Sequence, residues 1–131
     1  MMSKIKKTHV IGAGAMGHGI AQVFAQSGCD VVISDVNEEI LERAKGHIET
    51  NLRFLVQYGL VEESEISEIL SRTTTVLSTN DTTYDADLII EAVPEDLDLK
   101  QKVLGEAEKA SSSDTILATT TSVIQVTDIG T

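Results

Sequence analysis

An α/β fold built on a doubly wound, mostly parallel sheet is what this sequence predicts, from three observations. An apolar run through Val10 and Ile11 breaks on Gly12, Gly14 and Gly17 at G-x-G-x-x-G spacing, and helical periodicity begins directly after them. Short runs rich in β-branched residues then alternate with longer stretches of helical period, the pattern of parallel strands joined by helices. A carboxylate, Asp35, closes the second of those runs, about 20 residues beyond the glycines.

The first strand is expected over residues 8–11 and its helix over 15–27, with Met16, Ile20, Val23 and Phe24 turned inward. Gly28 stands where a left-handed residue ends such a helix. Residues 30–35 read as a strand buried on both faces. Asn37 then caps a long helix whose stripe is Ile40, Leu41, Ala44, Ile48, Leu52, Leu55 and Val56, ending near Gly59. A shorter helix carrying Ile66, Ile69 and Leu70 follows it. The pair exceeds what a minimal crossover requires, so a helical hairpin inserted after the second strand is expected to project from the sheet, with periodicity favouring a plain packing role.

Residues 73–77 make a third strand, 78–85 a loop or short turn, and 88–93 a fourth strand stopped by Pro94. A helix running to about residue 110 is expected to bury Leu99, Val103, Leu104 and Ala107, with Gly105 costing it about 1 kcal/mol relative to Ala. Residues 115–118 read as a fifth strand and 124–129 as the start of another helix. In such sheets ligands sit outside the carboxyl ends of the strands. Asp35, residues 91–95 and residues 119–122 therefore gather on the same edge as the glycine turn.

Composition narrows the partners. The 131 residues suit one domain, and a net charge of −11 argues against nucleic acid or an anionic membrane, both of which select Lys and Arg clusters. With two Phe, two Tyr and no Trp, the core must be aliphatic. Cys29 stands alone, which leaves no disulfide framework and no zinc spacing, so no metal is expected and the cytoplasm is the expected location. The short basic start leads straight into the first strand without a cleavage site, and no run approaches the roughly 20 apolar residues of a membrane helix.

The glycine turn carries the chemistry. Free N–H groups and the helix dipole converge at a helix N-terminus and favour an anion there. Gly12 allows the sharp turn, Gly14 the approach of backbone to a pyrophosphate, and Gly17 close packing of helix on strand. A bare G-x-G-x-x-G is a weak signal. One that follows a strand, opens a helix and has Asp35 at the end of the next strand is a specific one, and points to a dinucleotide. Asp35 can accept both hydroxyls of an adenosine ribose and would repel a 2′-phosphate, and Val36 and Asn37 follow it with no Arg, so the expected cofactor is NAD rather than NADP.

Three stretches, IGAGAMGHGIAQVFAQSG from residue 11, IEAVPEDL from residue 90 with Lys100 behind it, and LATTTS from residue 117, resemble the NAD-binding (Rossmann) domain of the L-3-hydroxyacyl-CoA dehydrogenases, including 3-hydroxybutyryl-CoA dehydrogenases. The resemblance covers nearly the whole chain. It implies that Gly12, Gly14, Ala15, Met16 and Gly17 line the pyrophosphate, that Asp35 binds the adenosine ribose, and that Ala92 and Val93 border the cofactor. Glu95 and Lys100 would contact the nicotinamide half; taken alone, they read as a solvated pair at the start of a helix. Ser122 matches a serine between nicotinamide and substrate, a catalytic residue whose hydroxyl bonds the reacting oxygen. Thr120 puts a shorter hydroxyl where the family carries a carboxamide beside the nicotinamide.

The same resemblance implies a small-molecule substrate, an acyl-CoA, and a role in fatty acid metabolism. On the inserted hairpin Asn51 replaces a polar residue near coenzyme A, while Gln57 and Tyr58 occupy the region of a phosphate-binding lysine. The family's catalytic His, its partner Glu and the helical C-terminal domain correspond to positions beyond Thr131. These 131 residues are thus expected to bind NAD and, alone, to catalyse little, their partner being that C-terminal domain or a second copy in a homo-oligomer. His9, His18 and His47 read as structural or solvated. Two alternatives stay open: a dehydrogenase for a free 3-hydroxy acid of the carnitine or sugar-acid type, and a non-catalytic NAD-binding module.

Overall fold

The computed structural model describes residues 5–78, 85–93, 96–110 and 114–119. Strands β1 (Lys7–Ile11), β2 (Asp30–Asp35), β3 (Thr73–Leu77), β4 (Leu88–Glu91) and β5 (Ile116–Thr119) form one parallel sheet in the order β3-β2-β1-β4-β5. Helices α1 (Ala15–Gln26), α2 (Glu38–Gln57), α3 (Glu63–Ser71) and α4 (Leu97–Ala110) connect them. From β1 the chain builds outward to β2 and β3, then returns to place β4 and β5 on the opposite flank. That reversal opens a crevice at the carboxyl ends of β1 and β4, the place where open α/β sheets hold ligands.

Alternation of side chains along the strands supplies two cores. Val10, Val31 and Ile33 join Ala21 and Ala25 of α1, Leu41, Ala44, Ile48 and Leu52 of α2, and Ile66 and Ile69 of α3 in one buried cluster. On the other face Ile11 and Ile89 meet Ala107, with Val103 packed against them from α4. Helices on both faces make the sheet doubly wound, and the buried apolar residues are aliphatic, as the composition requires. The buried faces of α2 and α3 belong to the first cluster, which is the plain packing role that periodicity favours. Asn37 caps α2 as expected, its Oδ1 accepting the Ile40 N–H at 3.2 Å, and Gly28 ends α1 with φ 101°.

Two helix faces differ from expectation. Met16 and Val23 of α1 are 60% and 63% exposed, while Gly17, Ala21, Gln22 and Ala25 are buried. Hydrophobicity favoured the large residues, but a helix that leaves a tight glycine turn lies so close to the sheet that its contact face must be small. In α4, Leu99 is exposed and Lys100 is buried in its place, with Val103, Leu104 and Ala107 turned at least partly inward. β4 ends at Glu91, two residues earlier than expected, because the Glu91 carboxylate accepts the Val93 N–H and turns the chain out of the ladder. Pro94, most of the 78–85 loop and the 124–129 helix lie outside the described residues.

Between the strands, His9 of β1 is buried and its Nε2 shares a 2.8 Å hydrogen bond with Ser34 Oγ of β2. Burial pushes its pKa down to about 4, with the nearby Lys7 charge adding to the effect. A histidine held neutral in the fold and free to ionise at pH 6.5 when unfolded binds its proton first in the unfolded chain. Stability on the order of 3 kcal/mol is therefore expected to be lost as pH falls from 6.5 to about 4, and no more from this group below that. Urea unfolding of the wild type and His9→Gln across this range checks it. The variant should lose the slope, and an unchanged slope would assign the acid sensitivity elsewhere.

Candidate functional site

The turn after β1 is held from below and from the side. Gly12 adopts φ 106°, and its N–H donates to Ser34 O at 2.7 Å. A Cβ on Gly12 would come 2.7 Å from Ala92 O, so the turn lies directly against the backbone that leaves β4. A Cβ on Gly17 would come 1.8 Å from Gly12 O, which is how the first turn of α1 closes on the end of β1. At Gly14, the N-cap of α1, a Cβ would meet nothing within 4 Å. Among the described residues no side chain caps this helix, its first turn carries no acid, and Gly14, Ala15 and Met16 are exposed. The N–H groups of that turn thus open onto the carboxyl edge of the sheet.

Asp35 reaches the turn from the end of β2. Its Oδ2 accepts the Ala13 N–H at 2.9 Å and its Oδ1 the Asn37 N–H at 3.0 Å. Each oxygen keeps a lone pair, and the residue is half-buried at the rim. Asp35 thus braces the loop it is expected to serve and still offers two acceptors to a vicinal diol.

Across the crevice, Ala92 and Val93 form the wall beside Gly12. Beneath them lies an ion pair between Glu91 and Lys100, Oε2 to Nζ 2.6 Å, with neither side chain exposed. Glu91 Oε2 also accepts the Val93 N–H at 2.7 Å, its Oε1 accepts from Thr119 Oγ1 of β5, and Lys100 Nζ donates to Val93 O at 3.1 Å. The family resemblance implies that Lys100 contacts the nicotinamide half, and taken alone it reads as half of a solvated pair with Glu95. It is instead buried on Glu91, because α4 starts against the end of β4, and a cation there requires a counter-charge within reach. Glu95, Thr120 and Ser122 lie outside the described residues.

Sequence reasoning placed Glu91 on this edge but missed its role. The available signal was a charged residue closing the apolar run Leu88-Ile89-Ile90, with a lysine nine positions on in the facing helix. Also unforeseen is the stack of His18 on His47, ring centroids 5.0 Å apart and planes 18° apart, which joins α1 to α2. Asn51 likewise donates to Gln22 of α1 at 3.2 Å. Tyr58 is exposed, its ring 5.0 Å from that of Phe54.

The cradle fits a dinucleotide on its own geometry. Gly14 leaves open the space a phosphate needs, unpaired helix N–H groups face it, and Asp35 stands beside the turn with spare acceptors.

Comparison with known proteins agrees. The family described as 3-hydroxyacyl-CoA dehydrogenase, NAD binding domain, matches residues 7–131. A probable 3-hydroxyacyl-CoA dehydrogenase of Caenorhabditis elegans is 36% identical over 134 residues, which cover 98% of this chain and 43% of that protein. Mitochondrial hydroxyacyl-coenzyme A dehydrogenase of Mus musculus is 37% identical over 130 residues, 95% of this chain and 41% of that one. Among solved structures, (S)-3-hydroxybutyryl-CoA dehydrogenase of Ralstonia eutropha superposes with a TM-score of 0.88 at 30% identity, over 96% of this chain and 44% of that one. The chain therefore spans less than half the length of these relatives. It belongs to the 3-hydroxyacyl-CoA dehydrogenase family, and what it carries is that family's NAD-binding domain.

Proposed function

We propose that this chain is the cofactor-binding domain of an oxidoreductase that interconverts an L-3-hydroxyacyl-CoA and its 3-oxoacyl-CoA. NAD, when bound, supplies the hydride acceptor. The glycine turn holds the pyrophosphate by backbone N–H groups, Asp35 holds the adenosine ribose, and Ala92 and Val93 border the cofactor. Ser122 would bond the reacting oxygen of the substrate. The observation that carries the reading is Asp35, which ties the glycine turn to the end of β2 and keeps an acceptor on each oxygen.

Oxidation of the 3-hydroxyl also needs a proton acceptor. His9 is buried against Ser34, and His18 is stacked on His47. None of the three histidines stands ready at the crevice, so the 131 residues by themselves are expected to bind NADH without appreciable turnover, the base coming from a C-terminal domain.

Asp35→Asn tests the ribose assignment. It keeps one acceptor for the turn and removes the charge that rejects a 2′-phosphate, so NADH affinity should fall about tenfold while NADPH affinity holds or rises. Equal loss for both would make Asp35 a brace of the loop only. The substrate class is checked by turnover on acetoacetyl-CoA and on free 3-oxo acids with a protein that includes the C-terminal half. Preference for the free acid would overturn the acyl-CoA reading and leave the cofactor reading standing.

A further inference from the structure

We propose that Glu91 is a positioning residue for the nicotinamide half of the cofactor: its buried carboxylate fastens the end of β4, the start of α4 and the end of β5 into one wall of the crevice. The assignment rests on the dinucleotide reading above. The chain leaving β4 and two further elements, α4 and β5, meet at this one side chain. Lys100 of α4 and the Val93 N–H share Oε2, and Thr119 of β5 donates to Oε1. Lys100 also grips Val93 O, so both the N–H and the carbonyl of Val93 are held by the same ion pair. That backbone abuts Gly12, whose Cβ position lies 3.2 Å from Val93 N.

The layout assigns the two halves of the ligand to two sides of the crevice. The adenosine side is built on β1 and β2, from the glycine turn and Asp35, and among the described residues its side-chain hydrogen bonds are made by Asp35 and not by Glu91. The opposite side is built on β4 and β5, and its backbone is set by Glu91. A carboxylate with no solvent exposure is a poor choice for simple packing, since an aliphatic side chain would fill the space without a desolvation cost. What the carboxylate adds is direction. It fixes the orientation of the Val93 peptide, the seat of the Lys100 ammonium and the point at which the chain leaves β5, so the wall facing the nicotinamide ring is pre-organised.

The test compares NADH with ADP-ribose, which keeps the adenosine, the pyrophosphate and the second ribose but lacks the nicotinamide ring. Wild-type protein should bind ADP-ribose, and bind NADH more tightly with a shift in the emission of the reduced nicotinamide. In Glu91→Gln, NADH affinity should fall at least tenfold and the emission shift should vanish, with ADP-ribose affinity unchanged within twofold by calorimetry. Glu91→Asp keeps the counter-charge for Lys100 but cannot span all three partners, and should show the same selective loss to a smaller degree.

Parallel weakening of both ligands, or no weakening of either in a folded variant, would overturn the assignment. So would failure of both variants to fold, which would make the carboxylate a requirement of the fold alone. A wild type that binds ADP-ribose but gains nothing from the nicotinamide overturns the positioning role and leaves the dinucleotide reading intact. A wild type that binds neither ligand overturns both.

Discussion

Gly17→Ala is expected to destabilise the protein by about 3 kcal/mol and to abolish NADH binding with it. The added Cβ would lie 1.8 Å from Gly12 O and 2.8 Å from Gly12 C, contacts with backbone rather than with the movable end of a side chain. Relief requires α1 to lift from β1. That movement breaks the seat of Ala21 and Ala25 in the core and pulls the turn away from Ala92. Gly14→Ala provides the contrast. Its Cβ would meet nothing within 4 Å, and the φ of −68° suits any residue, so thermal stability should stay within about 0.5 kcal/mol of wild type. Its methyl group would occupy the approach to the pyrophosphate, so NADH affinity should still drop. Thermal melts with and without NADH separate the two cases: Gly17→Ala melts early in both, and Gly14→Ala melts normally but gains little from the ligand. A Gly14→Ala variant that retains the full ligand-induced gain would remove the phosphate from this turn.

The contrast between those glycines shows what the sequence alone can reveal. The spacing of Gly12, Gly14 and Gly17, the run from Asp30 to Asp35 and the cap at Asn37 are local signals, because each is set by the conformation of a few adjoining residues. All of them reappear in the structure at the expected places. The alternation of strands and helices carried the topology too, since parallel neighbours with helical crossovers have few ways to pack.

What local signals miss is long-range. On the inward face of α1 a hydrophobicity pattern favours Met16 and Val23, whereas the turn sets the helix close to the sheet and buries Gly17, Ala21 and Ala25, with Gln22 beside them and Ile20 and Phe24 partly buried. Taken alone, Lys100 reads as a surface partner of the nearer Glu95. Its carboxylate partner Glu91 becomes visible only once α4 is laid against β4. The turn at Asp35 is a mixed case. Its distance from the glycines and its bond to the Asn37 N–H are local, but its bond to the Ala13 N–H requires the two strand ends to be neighbours. The fold was therefore more legible than the site, because a site is made where segments distant in sequence meet.

Lys100→Met is expected to cost about 3–5 kcal/mol. The variant leaves the Glu91 carboxylate in a position with no solvent exposure and without its cation, so the cost is that of an uncompensated buried charge added to the loss of a 2.6 Å charge-assisted bond. An exposed pair gives a useful scale. Arg53 and Glu49, one helical turn apart on α2 and largely in solvent, lie 2.9 Å from each other, yet such pairs contribute no more than about 0.5 kcal/mol. Arg53→Met should accordingly be close to silent in the same melt. Adding Glu91→Gln to Lys100→Met removes the stranded charge while keeping acceptor and volume, and should recover a large part of the lost stability, a coupling that a double-mutant cycle reads directly. Equal instability of the single and double variants would mean that the lysine stem, not its charge, holds α4 against the sheet. The recovered double variant should remain poor in NADH binding, since replacing the ion pair restores the fold without restoring the bonds that orient Val93. Stability and cofactor geometry at this edge are therefore separable, although the same two side chains supply both.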